Sequence, residues 1–144
     1  MMLYLDTSAL VKLYVDEPLS QELSAAVDES EAVATSLLAY AEAMAAFARA
    51  RREARLSPHG YRHIVDAFEE DWPRYIVVEV TDRLVKKTGN LAASRALRGY
   101  DALHLASALS LRERVPSAVM FVAFDRELNI AAKREALRIR PLGA

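Results

Sequence analysis

Leu3-Tyr4-Leu5-Asp6-Thr7-Ser8-Ala9-Leu10-Val11-Lys12 is the stretch that decides the fold. Met2–Leu5 is a short apolar run that stops at an acid, which reads as a buried strand. Asp6-Thr7-Ser8 then precedes Ala9-Leu10-Val11 and Leu13-Tyr14, which reads as an N-cap and the helix it starts. The rest of the chain repeats this alternation. Pro18 opens a helix through about Asp28, Ala32–Thr35 is a weak strand, and Ser36–Arg55 carries neither Gly nor Pro and is the strongest helix. Ser57-Pro58 caps a helix to about Asp71, and Ile76-Val77-Val78 with Val80 is a β-branched strand. Thr81 caps a helix through about Leu97, with Gly89 a potential break, and Gly99 separates it from a helix over Tyr100–Arg114. Val119–Phe124 is a strand, Asp125–Leu137 a helix, and Ile139 marks a small last strand. Short, wholly apolar strands between helices predict a parallel sheet covered on both faces.

The chain has 144 residues, enough for one domain over 1–144. It is 53% hydrophobic and 27% charged, which excludes a disordered chain. There is no Cys, so thiol nucleophiles, thiolate zinc sites and disulfide scaffolds are excluded. The formal net charge is −1, so bulk positive charge is not how it would meet a nucleic acid. The apolar start is too short to span a membrane and lacks the basic flank of a signal peptide. The expectation is a chain that begins at its start codon and stays in the cytoplasm, with no membrane partner.

In a parallel sheet, sites form at the carboxyl ends of strands. Two strands here end in an acid, Asp6 and Asp125, and each also reads simply as a helix N-cap. Glu42 has Leu38, Ala39, Ala45 and Ala46 as its helical neighbours, which places a carboxylate on an apolar face. An internal salt bridge is the plain alternative. Asp101 shares a face with His104, Leu105 and Ala108, or else serves the helix dipole from the first turn. Four converging carboxylates would repel one another unless a divalent cation joined them. Mg²⁺ and Mn²⁺ prefer oxygen donors, and the chemistry that follows is in-line hydrolysis of a phosphodiester.

These residues resemble a known family. Leu5–Lys12 looks like the opening of a PIN-domain nuclease, and Leu38-Ala39-Tyr40-Ala41-Glu42 resembles its second acidic motif. Arg98-Gly99-Tyr100-Asp101-Ala102-Leu103-His104-Leu105-Ala106 is similar to the third, and Phe121–Leu128 to the fourth. The small, free-standing form resembles the VapC toxins of VapBC toxin–antitoxin pairs. The resemblance implies a three-layer α/β/α sandwich with a short parallel central sheet. It implies a ribonuclease dependent on Mg²⁺ or Mn²⁺, a homodimer, and a VapB-like antitoxin as inhibitor. By motif, Asp6, Glu42, Asp101 and Asp125 become the metal-binding, catalytic acids, and Ser8 a hydroxyl that orients them. Where many relatives carry Thr or Ser two positions before the fourth acid, this chain has Ala123. Glu127 reads as a solvated helix residue.

His104 reads as a core histidine that donates a hydrogen bond, and no His is assigned as a general base. A basic cluster, Arg49, Arg51, Arg52 and Arg55, lies beyond Glu42 on its helix. Arg49 and Arg52 are candidate contacts for RNA phosphates, or a solvated helix end. Leu10, Leu13 and Tyr14 are candidates for protein contacts. A haloacid-dehalogenase-like phosphatase would want an Asp where Ser8 stands, and a receiver domain an adjacent acid pair. A housekeeping RNA-processing nuclease and a non-catalytic PIN-like scaffold for RNA or protein are the alternatives to a toxin.

Overall fold

The computed structural model describes residues 1–140, so the last four residues of the expected domain, 141–144, lie outside the described residues. Among the described residues, five strands form the sheet: β1 (Met2–Leu5), β2 (Ala32–Ser36), β3 (Ile76–Val78), β4 (Val119–Val122) and β5 (Arg138–Ile139). All pair in parallel in the order β3-β2-β1-β4-β5. Leu3 sits in register with Val33 on one side and Met120 on the other, so β1 is the central strand. Connections run outward from β1 in one direction to β2 and β3, and then in the other to β4 and β5. The reversal of direction at β1 and β4 marks where a crevice opens outside the carboxyl ends of the strands.

Among the described residues, seven α-helices cover the sheet. They are α1 (Thr7–Lys12), α2 (Ser20–Glu29), α3 (Leu38–Arg52), α4 (Pro58–Asp71), α5 (Asp82–Arg95), α6 (Gly99–Arg114) and α7 (Arg126–Arg134). Alternation along the strands divides the core between two faces. Leu3 and Leu5 point into a cluster with Leu10, Leu23, Phe47 and Phe68, from α1 to α4. Met2 and Tyr4 point into the other, with Leu84, Leu91, Leu105 and Leu128 from α5, α6 and α7. The result is the expected three-layer α/β/α sandwich. Among the described residues, no helix is long and apolar enough to cross a membrane.

Local chemistry set most element starts where the sequence pointed. Asp6, Ser57, Thr81 and Asp125 all accept a backbone N–H as N-caps. Helix α2 begins at Ser20 rather than Pro18, because Leu19 takes a left-handed conformation, φ 75°, that starts the helix anew. Helix α5 runs through Gly89 unbroken, since Leu84, Thr88 and Leu91 anchor it in the core on either side. Helix α6 takes in Gly99, and the left-handed Ala96, φ 54°, turns the chain between α5 and α6. Leu10 is fully buried and offers no surface to a partner. Leu13 and Tyr14 lean on the same core, and the Tyr14 hydroxyl donates to Asp71 at 2.8 Å.

Candidate active site

Asp6 follows β1 at the carboxyl edge of the sheet and is 5% exposed. Its Oδ1 accepts from the Ser8 hydroxyl at 2.8 Å and from the Ala9 N–H at 2.9 Å. Among the described residues, nothing donates to its Oδ2. Burial pushes the Asp6 carboxyl above the usual range, against the pull of His104 and of these two hydrogen bonds. The charge of Asp101 pushes in the same direction as burial.

Glu42 reaches the same edge from the second turn of α3. The buried stripe of α3 is Ala39, Ala43, Phe47 and Ala50, so Glu42 lies on its flank, half-buried. Ala45, expected beside it on the apolar face, is exposed. Glu42 Oε1 accepts from the Thr7 hydroxyl at 2.6 Å and faces His104 Nε2 at 3.1 Å. Burial alone would raise this carboxyl, but His104 and Thr7 outweigh it and hold it below the usual range. The plain alternative, an internal salt bridge, is met by an imidazole rather than a guanidinium, an ion pair when His104 is protonated.

Asp101 stands in the first turn of α6, and Asp125 caps α7 through the Leu128 N–H at 2.9 Å. One guanidinium serves both acids: Arg98 Nε donates to Asp101 Oδ2 at 3.0 Å, and its Nη2 lies 3.8 Å from Asp125 Oδ2. The Arg98 side chain is 81% exposed, so water screens both pairs. Glu42 and Asp101 share the wall of a pocket of about 480 Å³, with Arg98, Tyr100, Val85 and Leu103. Asp6 and Asp125 are not part of that wall.

The residues fit a hard divalent cation in donor type. All four acids offer oxygen, as Mg²⁺ and Mn²⁺ require. In Asp6 and Glu42 one oxygen is tethered by hydrogen bonds while the other, among the described residues, has no donor. Among the described residues, no three His, Asp or Glu side chains are gathered tightly enough to hold an ion as they stand. An ion held by all four would need the acids closer together than they stand here, in place of the Arg98 pairing of Asp101 and Asp125.

Arg49 and Arg52 lie at the far end of α3, exposed, and Arg49 Nε donates to Glu53 at 3.0 Å. At 1.5 Å per residue, Arg49 stands roughly 10 Å along the helix from Glu42. Ala123 is buried and its carbonyl accepts from the Asn129 amide at 2.9 Å. Glu127 is exposed on α7. Sequence reasoning missed Thr7, Tyr4 and Arg98. Arg98 carried a local signal, standing one turn before Asp101 on the same face. Thr7 and Tyr4 carried none, because their partners lie far away in the chain.

A family model described as the PIN domain matches residues 3–134. The chain is 38% identical over 140 residues to ribonuclease VapC45 of Mycobacterium tuberculosis (strain CDC 1551 / Oshkosh), covering 97% of this chain and 95% of that protein. The solved structure of VapBC-1 from nontypeable Haemophilus influenzae superimposes with a TM-score of 0.66 at 16% identity, over 97% of this chain and 97% of that one. A toxin–antitoxin complex from Klebsiella pneumoniae gives a TM-score of 0.60 at 17% identity, over 85% of this chain and 86% of that one. At those identities the two structures speak for the fold alone.

Proposed function

The chain belongs to the PIN domain family, and from that premise we propose that it is a divalent-metal-dependent endoribonuclease and the toxin of a toxin–antitoxin pair. The observation that carries the reading is Asp6, buried at the carboxyl edge with one oxygen fixed and its pKa raised, beside the charge of Asp101. A carboxylate in that position is poorly served by the protein's own cations. The guanidinium of Arg98 is spent on Asp101 and Asp125.

Asp6, Glu42, Asp101 and Asp125 would hold Mg²⁺ or Mn²⁺, which supplies charge for the phosphate and makes water a stronger nucleophile. Ser8 keeps Asp6 in one rotamer through its 2.8 Å hydrogen bond. Thr7 and His104 do the same for Glu42. Arg98, freed from the acids, is placed to contact a phosphate, and Arg49 and Arg52 extend a basic path along α3. The likeness to ribonuclease VapC45 supports RNA as the substrate. The likeness to ribonuclease VapC45, with toxin–antitoxin complexes among the structures of the same fold, supports a VapB-like antitoxin as partner. A homodimer, a single domain over 1–144 and a place in the cytoplasm complete the proposal.

The test is cleavage of RNA by the purified protein in Mg²⁺ or Mn²⁺ and again in EDTA. Cleavage confined to the metal-containing reaction is expected; full-rate cleavage in EDTA overturns the reading. A small gene immediately upstream, whose product binds the protein and stops cleavage, separates a toxin from a housekeeping nuclease.

A further inference from the structure

His104 is not one of the four acids that would hold the metal, yet it is 3% exposed and sits at the centre of a hydrogen-bonded chain. Tyr4 lies beneath it in β1, fully buried, stacked on Phe121 with ring centroids 5.7 Å apart. The Tyr4 hydroxyl meets His104 Nδ1 at 2.8 Å. On the other side of the ring, Nε2 lies 3.0 Å from Thr7 Oγ1 and 3.1 Å from Glu42 Oε1.

Donor and acceptor roles follow from this arrangement. The buried Tyr4 hydroxyl keeps its hydrogen, since burial pushes its pKa well above the usual value. Ser107 also lies beside the Tyr4 hydroxyl, but its own hydroxyl donates to the Leu103 carbonyl at 2.7 Å, and it is Nδ1 that the Tyr4 oxygen meets at 2.8 Å. Nδ1 therefore carries no hydrogen, and Nε2 carries the ring's N–H. That N–H points at Thr7 Oγ1 and Glu42 Oε1, while the Thr7 hydroxyl donates to the same carboxylate oxygen. Oε1 is thus pinned by two donors. Oε2, among the described residues, accepts from nothing. The ring is too buried to touch a substrate, and its lone-pair nitrogen, Nδ1, is taken up by the Tyr4 hydroxyl, so a general-base role is closed to it.

We propose that His104, fixed as the Nε2–H tautomer by the Tyr4 hydroxyl, is a positioning residue that presents the free oxygen of Glu42 to the divalent cation. This rests on the metal-dependent reading above. Its distinct content is that the metal's affinity is set in part by a histidine that never touches the metal. Partners of this kind, hydrogen-bonded to a ligating group, typically alter metal affinity by about 10–100-fold when lost.

Two amide substitutions separate positioning from packing. In His104→Gln the side-chain N–H reaches close to the former Nε2 and keeps the donor for Glu42. In His104→Asn the amide stands near the former Nδ1, keeps a partner for Tyr4, and falls short of Glu42. Mn²⁺ binding to the metal-free protein is followed by the electron paramagnetic resonance of free Mn²⁺. His104→Gln should bind within about threefold of the wild type, and His104→Asn should bind about tenfold or more weakly. Equal affinities in the wild type and His104→Asn overturn the proposal. If the wild type itself binds no Mn²⁺, the metal-dependent reading fails first and takes this one with it. A second measurement needs no variant: nitrogen-15 correlation spectra of the metal-free wild type. A pyrrole-like Nε2 and a pyridine-like Nδ1 are expected for His104, and the reverse assignment overturns the proposal even if His104→Asn fails to fold.

Discussion

His104 Nε2 and Glu42 Oε1 lie 3.1 Å apart on helices from opposite layers of the sandwich, joined over the carboxyl edge of the sheet. Helix α6 packs on one face of the sheet and α3 on the other. The strands keep these layers apart along most of their length. At the edge where β1 ends, Thr7 and the two side chains close the gap with one polar cluster. The site is therefore anchored to both layers, and a substitution there is felt in stability as well as in chemistry.

Asp6→Asn should abolish most cleavage, by orders of magnitude, and stabilise the metal-free protein. Asn is nearly as good an N-cap, so α1 keeps its start. The sign follows from the raised folded pKa of Asp6. Above its unfolded value, about 3.9, the unfolded chain has released a proton that the folded chain still holds. Stability therefore falls with rising pH across that window and stays reduced at neutral pH. Thermal melts in EDTA at pH 7 check this, with a gain of about 3 °C expected per kcal/mol recovered. A lower Tm with normal cleavage makes Asp6 a structural cap and nothing more.

Glu42→Gln should move stability the other way. The folded pKa of Glu42 is lowered, so its ionised form contributes stability above the unfolded value, about 4.3, and that contribution is lost as pH falls through the folded value. The substitution should lower the melting temperature at pH 7 in EDTA and flatten the loss of stability on acidification. Melts of both variants from pH 3 to 8 compare the two signs directly. A Gln variant as stable as the wild type at pH 7 contradicts the hydrogen-bonded carboxylate seen here.

Metal addition should raise the melting temperature of the wild type. A ligand that binds only the folded state at one hundred times its Kd stabilises by about 2.7 kcal/mol. Asp6→Asn should respond far less to the same Mg²⁺ or Mn²⁺. Equal shifts in both proteins place the ion elsewhere.

Arg98→Ala should tighten Mn²⁺ binding several-fold, because it removes the cation that pairs with Asp101 and Asp125. The gain should shrink at high salt, since the Arg98 side chain is exposed. Calorimetric titration at two ionic strengths reads both effects. Weaker binding in Arg98→Ala shows instead that Arg98 assembles the acids.

Arg49→Ala and Arg52→Ala together should raise the KM for RNA and leave Mn²⁺ affinity as it is. Each lost phosphate contact should reduce the slope of log affinity against log salt by about 0.7. An unchanged slope makes these arginines a solvated helix end.

Much of this architecture is legible in the sequence because short-range chemistry marks it. Asp6, Ser57, Thr81 and Asp125 announce their helices by capping, and the apolar strands announce a sheet buried on both faces. Where the reading slipped, the cause is physical. The Ala residues of α3 are equally at home on either side of the helix, so they do not tell which face is inward; Phe47 does, and it sets Glu42 on the flank. Pro18 is a good helix opener, but the left-handed Leu19 after it resets the start. The acids are visible as anomalies of polarity in apolar runs. Their supports are not, because Tyr4, Thr7, Glu42 and His104 meet only after the layers have assembled. Nothing local to a tyrosine in a strand says that its hydroxyl will set the tautomer of a histidine far along the chain.

The central position of β1 has a consequence for the order in which the protein comes into being on the ribosome. Met2 pairs with Ala32 early in synthesis, but its other neighbour is Val119. Until β4 emerges, the nascent chain has an exposed edge on its innermost strand, and neither Tyr4 nor the Asp125 cap has its full surroundings. Chains are made at about 5–20 residues per second, so this interval lasts several seconds or more. During it the four acids cannot share one edge, because Asp125 follows β4. Strand β4 begins at residue 119 of 144, so only the last sixth of synthesis supplies the second neighbour of β1 and the edge on which Asp125 stands.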